Sequence, residues 1–417
     1  MTTATHSELS SRPRSGGAGA RAAALRGALL GMLALATSCR VYPPVGDQTQ
    51  VKVDYGRPLP VGADALLALG PNEAKPDLRS AWIQRAELLP ALEHSLDWTQ
   101  RKHAARFFPQ AGITHARALA SLQRFRELLS SAGSADAFAA AVDAEFQVYK
   151  SAGWDGQGGG VLFTGYCTPI LKGSLSASAA YAHPLYALPE DLAKAADGRI
   201  LGRRIGERFE PYPTRRAIEA SALLANRGLE LVWLADPIDA YIAHVNGSAV
   251  IELPDGSQMK LGYAGKNGRD YTSLGKELIA AGEVPADRMN LTAIRSWARS
   301  NPGKVEDFLL RNDSYVFFTP ISGNPHGSLD VPVTGMRTVA TDKSLFPRGA
   351  ITFVDAALPT SGGPVRPLRQ VMFDQDTGGA IRTAGRADLY VGVGPEAERI
   401  SGATQAAGQL YYYFLKR

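Results

Sequence analysis

The segment Asp374-Gln375-Asp376-Thr377-Gly378-Gly379-Ala380-Ile381-Arg382 is followed closely by Gly385-Arg386-Ala387-Asp388-Leu389-Tyr390. Two glycines after Asp376 let the backbone turn tightly or approach another chain closely. Asp388 opens the apolar run Leu389-Tyr390-Val391, which reads as a strand. A strand end can hold a side chain rigidly at the mouth of a barrel. Such carboxylates are suited to general acid–base work. The same residues would equally serve to brace a turn and to end a strand in solvent.

Other chemistries lack their residues. None of the seven histidines has metal-ligand spacing, and neither H-E-x-x-H nor C-x-x-C occurs. There is no G-x-S-x-G nucleophile elbow. The glycine-punctuated stretch 262–268 lacks the phosphate-loop spacing and the Ser or Thr after its lysine. No metal site and no cofactor is expected. What remains is carboxylate chemistry.

The elements that must position it change character along the 417 residues. Leu88, Leu89, Leu92, Leu96 and then Leu119, Leu122, Phe125, Leu128, Leu129 recur at helical spacing, and Ala137 to Tyr149 reads as a continuation. Glycines from Gly153 to Gly160 break the pattern. Beyond Val161 short apolar runs read as strands: 161–163, 231–234, 249–253, 315–318, 331–333, 350–354, 389–393 and 410–415. Leu253-Pro254-Asp255-Gly256 reads as a hairpin turn. Three helical runs interrupt, 273–281, 291–299 and 305–311.

The formal charge is +5. Residues 1–38 carry Arg12, Arg14, Arg21 and Arg26 against Glu8, which leaves +2 for the rest. No basic run marks a nucleic-acid binder. A short apolar run, Gly27 to Ala36, follows the basic residues and reads as a signal peptide. It ends in Leu35-Ala36-Thr37-Ser38-Cys39, similar to a lipobox, in which Cys39 would carry lipid. Leu35 stands one place further from the cysteine than the usual pattern. An ordinary cleaved signal is the plainer alternative. Residues 40–60 read as a polar tether. Cys167, the other cysteine, reads as a packing residue rather than a nucleophile.

From about Phe163 onward the chain resembles the membrane-bound lytic murein transglycosylase A family. The resemblance is carried by ordered blocks: Phe163-Thr164-Gly165-Tyr166-Cys167-Thr168-Pro169, Tyr181-Ala182-His183-Pro184-Leu185-Tyr186, Trp233-Leu234-Ala235-Asp236-Pro237, His244-Val245-Asn246-Gly247-Ser248, Tyr263-Ala264-Gly265-Lys266-Asn267-Gly268, Asn312-Asp313-Ser314-Tyr315, and Asp376-Thr377-Gly378-Gly379 with Asp388. It implies a mainly β protein with an N-terminal helical region, whose catalytic double-psi β-barrel is split by an inserted β-rich domain. The corresponding divisions are a leader over 1–38, a tether over 39–60, helices and the first barrel part over 61–165, the insert over 166–317 and the second barrel part over 318–417. The C-terminal part resembles a module named for three aspartates, here Asp342, Asp376 and Asp388.

The resemblance implies a lyase, an exotransglycosylase, that cuts the β-1,4 bond between N-acetylmuramic acid and N-acetylglucosamine. The muramic C6 hydroxyl attacks C1 and leaves a 1,6-anhydro ring. One carboxyl, Asp388, would protonate the leaving oxygen and then take the hydroxyl proton; Asp376 and Asp342 would support it. Thr168, Asn246, Gly247, Ser248, Tyr263, Lys266 and Asn267 would line the glycan groove, although Tyr263 and the glycines read equally well as turn and core residues. Cys167 stands for a usual aromatic residue and Asn246 for a usual glutamine. The expected partners are peptidoglycan strands and, through the anchor, a membrane. Arg40 after Cys39 favours the outer membrane, facing the periplasm. The chain is expected to be a monomer. Two rivals are a non-catalytic wall-binding lipoprotein and, from the tripeptide Asp376-Thr377-Gly378, an aspartic protease, which needs two facing aspartates.

Overall fold

The computed structural model describes residues 53–195, 199–358 and 366–417. Cys39, the leader and most of the tether lie outside these residues. Val53–Arg417 forms one compact unit.

The unit opens with strand β1 (Leu66–Ala68) and helices α1 (Arg79–Ile83), α2 (Arg85–Gln100), α3 (His115–Ser131) and α4 (Ala135–Glu145). Thr114 and Ser134 cap α3 and α4 by accepting from the backbone N–H groups of Arg117 and Ala137. The spaced leucines bury one face: Leu88, Leu92 and Leu96 pack with Leu122, Phe125 and Leu129. The helical pattern expected to run to Tyr149 stops at Glu145. Phe146–Ser151 is strand β2, with Phe146, Val148 and Ser151 buried. Phe146 and Val148 alternate with period two, the alternation slips before Ser151, and pairing with the C-terminal strand decides the element.

Strand β3 (Val161–Thr168) enters the barrel. The chain then leaves for β4 (Ile170–Ser174), β5 (His183–Tyr186), β6 (Leu192–Lys194), β7 (Ile200–Ile205), β8 (Arg208–Glu210), α5 (Arg215–Ala220), β9 (Glu230–Leu234), α6 (Pro237–Asn246), β10 (Ala249–Glu252), β11 (Gln258–Lys266), α7 (Leu274–Ala280), α8 (Leu291–Ser300), α9 (Pro302–Leu309) and β12 (Val316–Pro320). It returns as β13 (Thr338–Ala340), β14 (Ile351–Leu358), β15 (Arg366–Asp376), β16 (Arg386–Val393), α10 (Pro395–Ala403) and β17 (Gln405–Leu415).

Six strands close a ring in the order β3, β16, β13, β15, β14, β17 and back to β3. β17 closes it by dividing its length. Gln405–Gly408 pairs with β3 and Tyr411–Leu415 with β2. β3/β16 and β13/β15 are parallel; the other ring pairs are antiparallel. Parallel neighbours need long connections. Here the whole insert separates β3 from the strands that return beside it. Inside the ring Phe163, Val339, Val354, Met372, Leu389 and Leu410 form the core. Ile351, Phe353, Val371 and Phe373, on the other face, are covered by α2, α3 and α4.

The insert has its own six-stranded sheet, ordered β12, β11, β10, β4, β9, β5. A bridge between Ala187 and Phe318 brings its two edges together. The expected hairpin is present: Ser257 N–H donates to Asp255 Oδ1 at 2.9 Å, and Gly256 has φ +82°. The run 331–333 is not a strand. Pro332 makes a single bridge to His326, while Leu329 and Val331 pack against Trp98 as a buried loop.

Lys343 and Asp374 form an ion pair sealed inside the barrel, with Thr341 and Tyr412 hydroxyls also donating to the Asp374 carboxylate. Removing one partner strands a buried charge. Asp374→Ala is therefore expected to cost about 3–5 kcal/mol, read as a fall in the guanidinium midpoint. Asp374→Ala combined with Lys343→Met should recover most of the loss.

Candidate functional site

β13 lies between β15 and β16, and Ala340 is in register with Asp376 on one side and Asp388 on the other. Residues in register on neighbouring strands share a face, so the two carboxylates stand on either side of a methyl group. A register shift between Val339 and Ala340 interrupts the β13/β15 ladder. Across it, Asp374 turns into the core while Asp376 reaches the barrel mouth. Gln375 between them is buried; it donates to Ala91 O at 2.6 Å and Ser95 Oγ at 3.0 Å and accepts from the Thr338 hydroxyl at 2.7 Å.

The two aspartates have different surroundings. Asp376 accepts from the Tyr166 hydroxyl at 2.6 Å and from the backbone N–H groups of Ser328 and Thr377, each at 2.8 Å. Burial raises its pKa, and these donors oppose the rise. Asp388 accepts from the Thr164 hydroxyl, and the Arg386 guanidinium stands 3.9 Å away. Arg386 itself donates to Thr164 Oγ1 at 3.0 Å. Burial pushes Asp388 up to about 6; Arg386 opposes this and Asp376 adds to it. Asp376 thus has more donors to its carboxylate than Asp388 does.

Around them the Tyr166 and Tyr390 rings lie 5.2 Å apart. The Tyr390 hydroxyl bonds Thr168 Oγ1 at 2.8 Å, and Thr168 bonds Ser248 Oγ at 3.1 Å. Ser248 belongs to the insert. Its position follows from α6: Asp236 caps the start, Pro237 sits in the first turn, and Gly247, with φ +70°, ends the helix in a left-handed turn. Tyr263 is 47% exposed beside Gly247. Tyr271 leaves the insert and lies over Gly379, where an added Cβ would come within 3.0 Å of the tyrosine Cβ. Burial raises the Tyr271 pKa, and the charge of Asp388 adds to the rise.

Residues 162–319 match the family described as MltA specific insert domain, and residues 337–413 match the 3D domain. The membrane-bound lytic murein transglycosylase A of Vibrio cholerae is 33% identical over 270 residues, 64% of this chain and 68% of that protein. The chain belongs to the membrane-bound lytic murein transglycosylase A family. The Escherichia coli protein of that name is also 33% identical, over 61% of this chain and 65% of its own length. A crystal structure of a membrane-bound lytic murein transglycosylase from Agrobacterium tumefaciens shares the fold, with a TM-score of 0.71 at 24% identity, covering 84% of this chain and 98% of that one. Escherichia coli MltA with bound chitohexaose matches with a TM-score of 0.64 at 25% identity, covering 88% and 99%.

Of the residues this family suggests, Asp376, Asp388, Thr168 and Ser248 converge through the contacts above. Asp342 is used locally: its Oδ1 accepts from the Ser344 N–H at 2.9 Å and hydroxyl at 2.6 Å, bracing the turn after β13. Asn267 is buried, donates to Pro213 O and Asp313 O, and accepts from the N–H groups of Arg269 and Tyr315. Its carboxamide is used inside the insert. Asn246 accepts from the Cys167 N–H at 3.4 Å, so the two departures from the family pattern touch each other. The Cys167 thiol is buried and pushed up to about 11. Burial lowers the Lys266 pKa, with Arg382 nearby adding to the effect. Among the described residues no group of His, Cys, Asp and Glu is placed to hold a metal. Thr164, Tyr166, Tyr271 and Arg386 had no role from the sequence; only the placement of Thr164 and Tyr166 inside a family block signalled the region.

An aspartate with a raised pKa binds its proton more readily folded than unfolded. Asp388 thus penalises the folded state increasingly as pH rises from about 4, the penalty being complete above about 6 and absent below about 4. Asp388→Asn should raise the unfolding free energy by about 2 kcal/mol at pH 8 and leave it unchanged at pH 4. Denaturant titrations at the two pH values measure this.

Proposed function

We propose that this protein is a lytic transglycosylase that cleaves the β-1,4 bond between N-acetylmuramic acid and N-acetylglucosamine without water, leaving 1,6-anhydromuramyl ends. The observation that carries the reading is Asp388: a single carboxyl, pushed up to about 6, at the rim where barrel and insert meet. Its relatives are named lytic murein transglycosylases, and one solved relative holds chitohexaose. The closed six-strand ring with two parallel pairs supports a double-psi β-barrel.

Asp388 protonates the glycosidic oxygen as the bond to C1 breaks. The muramic C6 hydroxyl then attacks C1, and the same carboxylate takes its proton. The nucleophile belongs to the substrate, so no second carboxylate has to activate water. Asp376 has three donors that oppose the effect of its burial and favour its anion. It keeps negative charge beside Asp388, favouring the protonated acid before reaction, and that charge also suits the cationic sugar that forms. Asp342 holds the turn after β13. Tyr263, Lys266 and the stretch Asn246–Ser248 face the strand across the cleft. On the same reading Cys39 bears the lipid that holds the enzyme at the outer membrane, facing the periplasm, and the chain acts as a monomer.

The full chain in detergent should release anhydromuropeptides from purified peptidoglycan, identified by mass spectrometry. Asp388→Asn should lower the rate by about 10²–10⁴ while the protein stays folded. Hydrated reducing ends would make it a hydrolase, and fragment-free binding would make it a wall-binding protein. The acid must carry its proton, so kcat/KM should fall as pH rises through about 6, about tenfold per unit. An activity flat from pH 5 to 8 would remove Asp388 from that role.

A further inference from the structure

A second enclosure, of about 250 Å³, lies inside the insert between α5, α6, the β5 edge and Tyr315. Its floor is polar yet shut away: His244 is 6% exposed, and Tyr315 and Arg215 3% each. His244 Nδ1 accepts from the Val316 N–H at 3.0 Å, which fixes the ring proton on Nε2. Among the described residues that Nε2–H has no acceptor. The Nε2 atom is not among the sealed polar atoms without a partner, so it opens to the cavity, where an acceptor on a ligand can meet it.

The charge of the site narrows the chemistry. Arg215 donates to Glu219 at 3.1 Å, Ser314 O at 2.9 Å and Asn312 O at 3.2 Å, so its charge is balanced and its fork engaged. Burial keeps His244 neutral. Among the described residues that line the cavity, no guanidinium or ammonium is left unengaged to capture an anion. The walls combine the apolar Pro184, Ile218, Pro237 and Leu309 with Tyr186, Tyr315, His183 and the Glu219 that Arg215 engages. Apolar faces with a few fixed polar groups suit a small neutral ligand. A pyranose presents the complement, with C–H faces and a girdle of hydroxyls.

We propose that this cavity is a second glycan site that takes one neutral N-acetylhexosamine ring, its acetamido carbonyl accepting from His244 Nε2–H. The choice of sugar rests on the peptidoglycan reading above. The site is distinct from the cleavage centre but shares a wall with it. Tyr241 lines the cavity and is hydrogen-bonded to Tyr271, whose ring lies over Gly379 beside Asp376. An occupied cavity supports that wall from behind while a strand is cut in front.

The test uses the full chain in detergent with ¹⁵N-labelled histidine, titrated with N-acetylglucosamine. The His244 Nε2–H resonance should shift saturably, in the wild type and in Asp388→Asn alike. Ala240→Leu, which fills the cavity from α6, should abolish the shift. Its sugar-free His244 resonance at the wild-type position would show that the insert is folded. Tyr186→Phe should weaken binding several-fold. Anhydro-product release from short strands should change less than twofold in Ala240→Leu. No shift at tens of millimolar sugar, or a shift that survives Ala240→Leu, overturns the proposal. A saturable shift without anhydro products keeps this site and removes the lytic reading; products without a shift do the reverse.

Discussion

The site depends on a strand three residues long. β13 has room for one residue in register with both Asp376 and Asp388, and that residue is Ala340. Neighbouring strands lie about 4.8 Å apart, so carboxylates two strands apart are held close without being fused. They interact as like charges but do not share a proton. A large side chain at 340 would stand between them. The arrangement also needs the ring to close. Asp388 is held from its other side by β3, where it is in register with Thr164, and β3 is fixed in turn by β17. A stretch from before the insert and two from after it must therefore be in place before the acid has its environment.

Three aspartates within fifteen residues illustrate how environment assigns a role. Asp374 is fully enclosed and meets Lys343, Thr341 and Tyr412, so its charge is matched and it holds the core together. Asp376 meets three donors, which oppose the rise in pKa that its burial causes. Asp388 has one hydroxyl and an arginine at the limit of an ion pair. Each pKa unit corresponds to about 1.4 kcal/mol, so a rise from the ordinary value to about 6 costs the folded protein a few kcal/mol at neutral pH. A protein selected only for stability would replace that carboxyl. A carboxyl placed beside an anion that worsens the penalty fits the proposed role of an acid ready to donate.

Much of this is legible in residue order, but unevenly. The Asp376-Thr-Gly-Gly loop and Asp388 stand out because glycine pairs and strand-flanking aspartates have short-range meaning. The spaced leucines of α2 and α3 and the Asp255-Gly256 turn are legible for the same reason. Phe146–Ser151 is not, because an alternating stretch directly after an alanine-rich helix can extend either period until a partner strand is known. Val331-Pro332-Val333 misleads in the opposite direction: its valines are apolar for packing on Trp98, not for a ladder. Asn267 sits in a sugar-suggestive block, yet its carboxamide is spent on four backbone groups that only the folded insert brings together. The Lys343–Asp374 pair and Tyr271 over Gly379 are contacts across long stretches of chain, and nothing local encodes them.

The insert's attachment explains why its residues can serve a site built by the barrel. Only Pro169 separates the barrel strand β3 from the insert strand β4, so Thr168 is held by the barrel while its neighbours two residues on belong to the insert sheet. A second seam lies at the helices. Arg295 of α8 bonds Asp239 of α6 at 2.5 Å and Glu398 of α10 at 2.9 Å. Exposed ion pairs contribute little, but these three side chains are each about one-fifth exposed, and the fork of Arg295 engages both carboxylates at once. α10 packs on β3 and β16, the strands that carry Thr164 and Asp388. A shift of the insert against the barrel would thus pull on the helix behind the acid as well as on the cleft in front of it. The geometry of Asp388 is set from both sides, as the proposed transfer of one proton twice at one carboxyl would require.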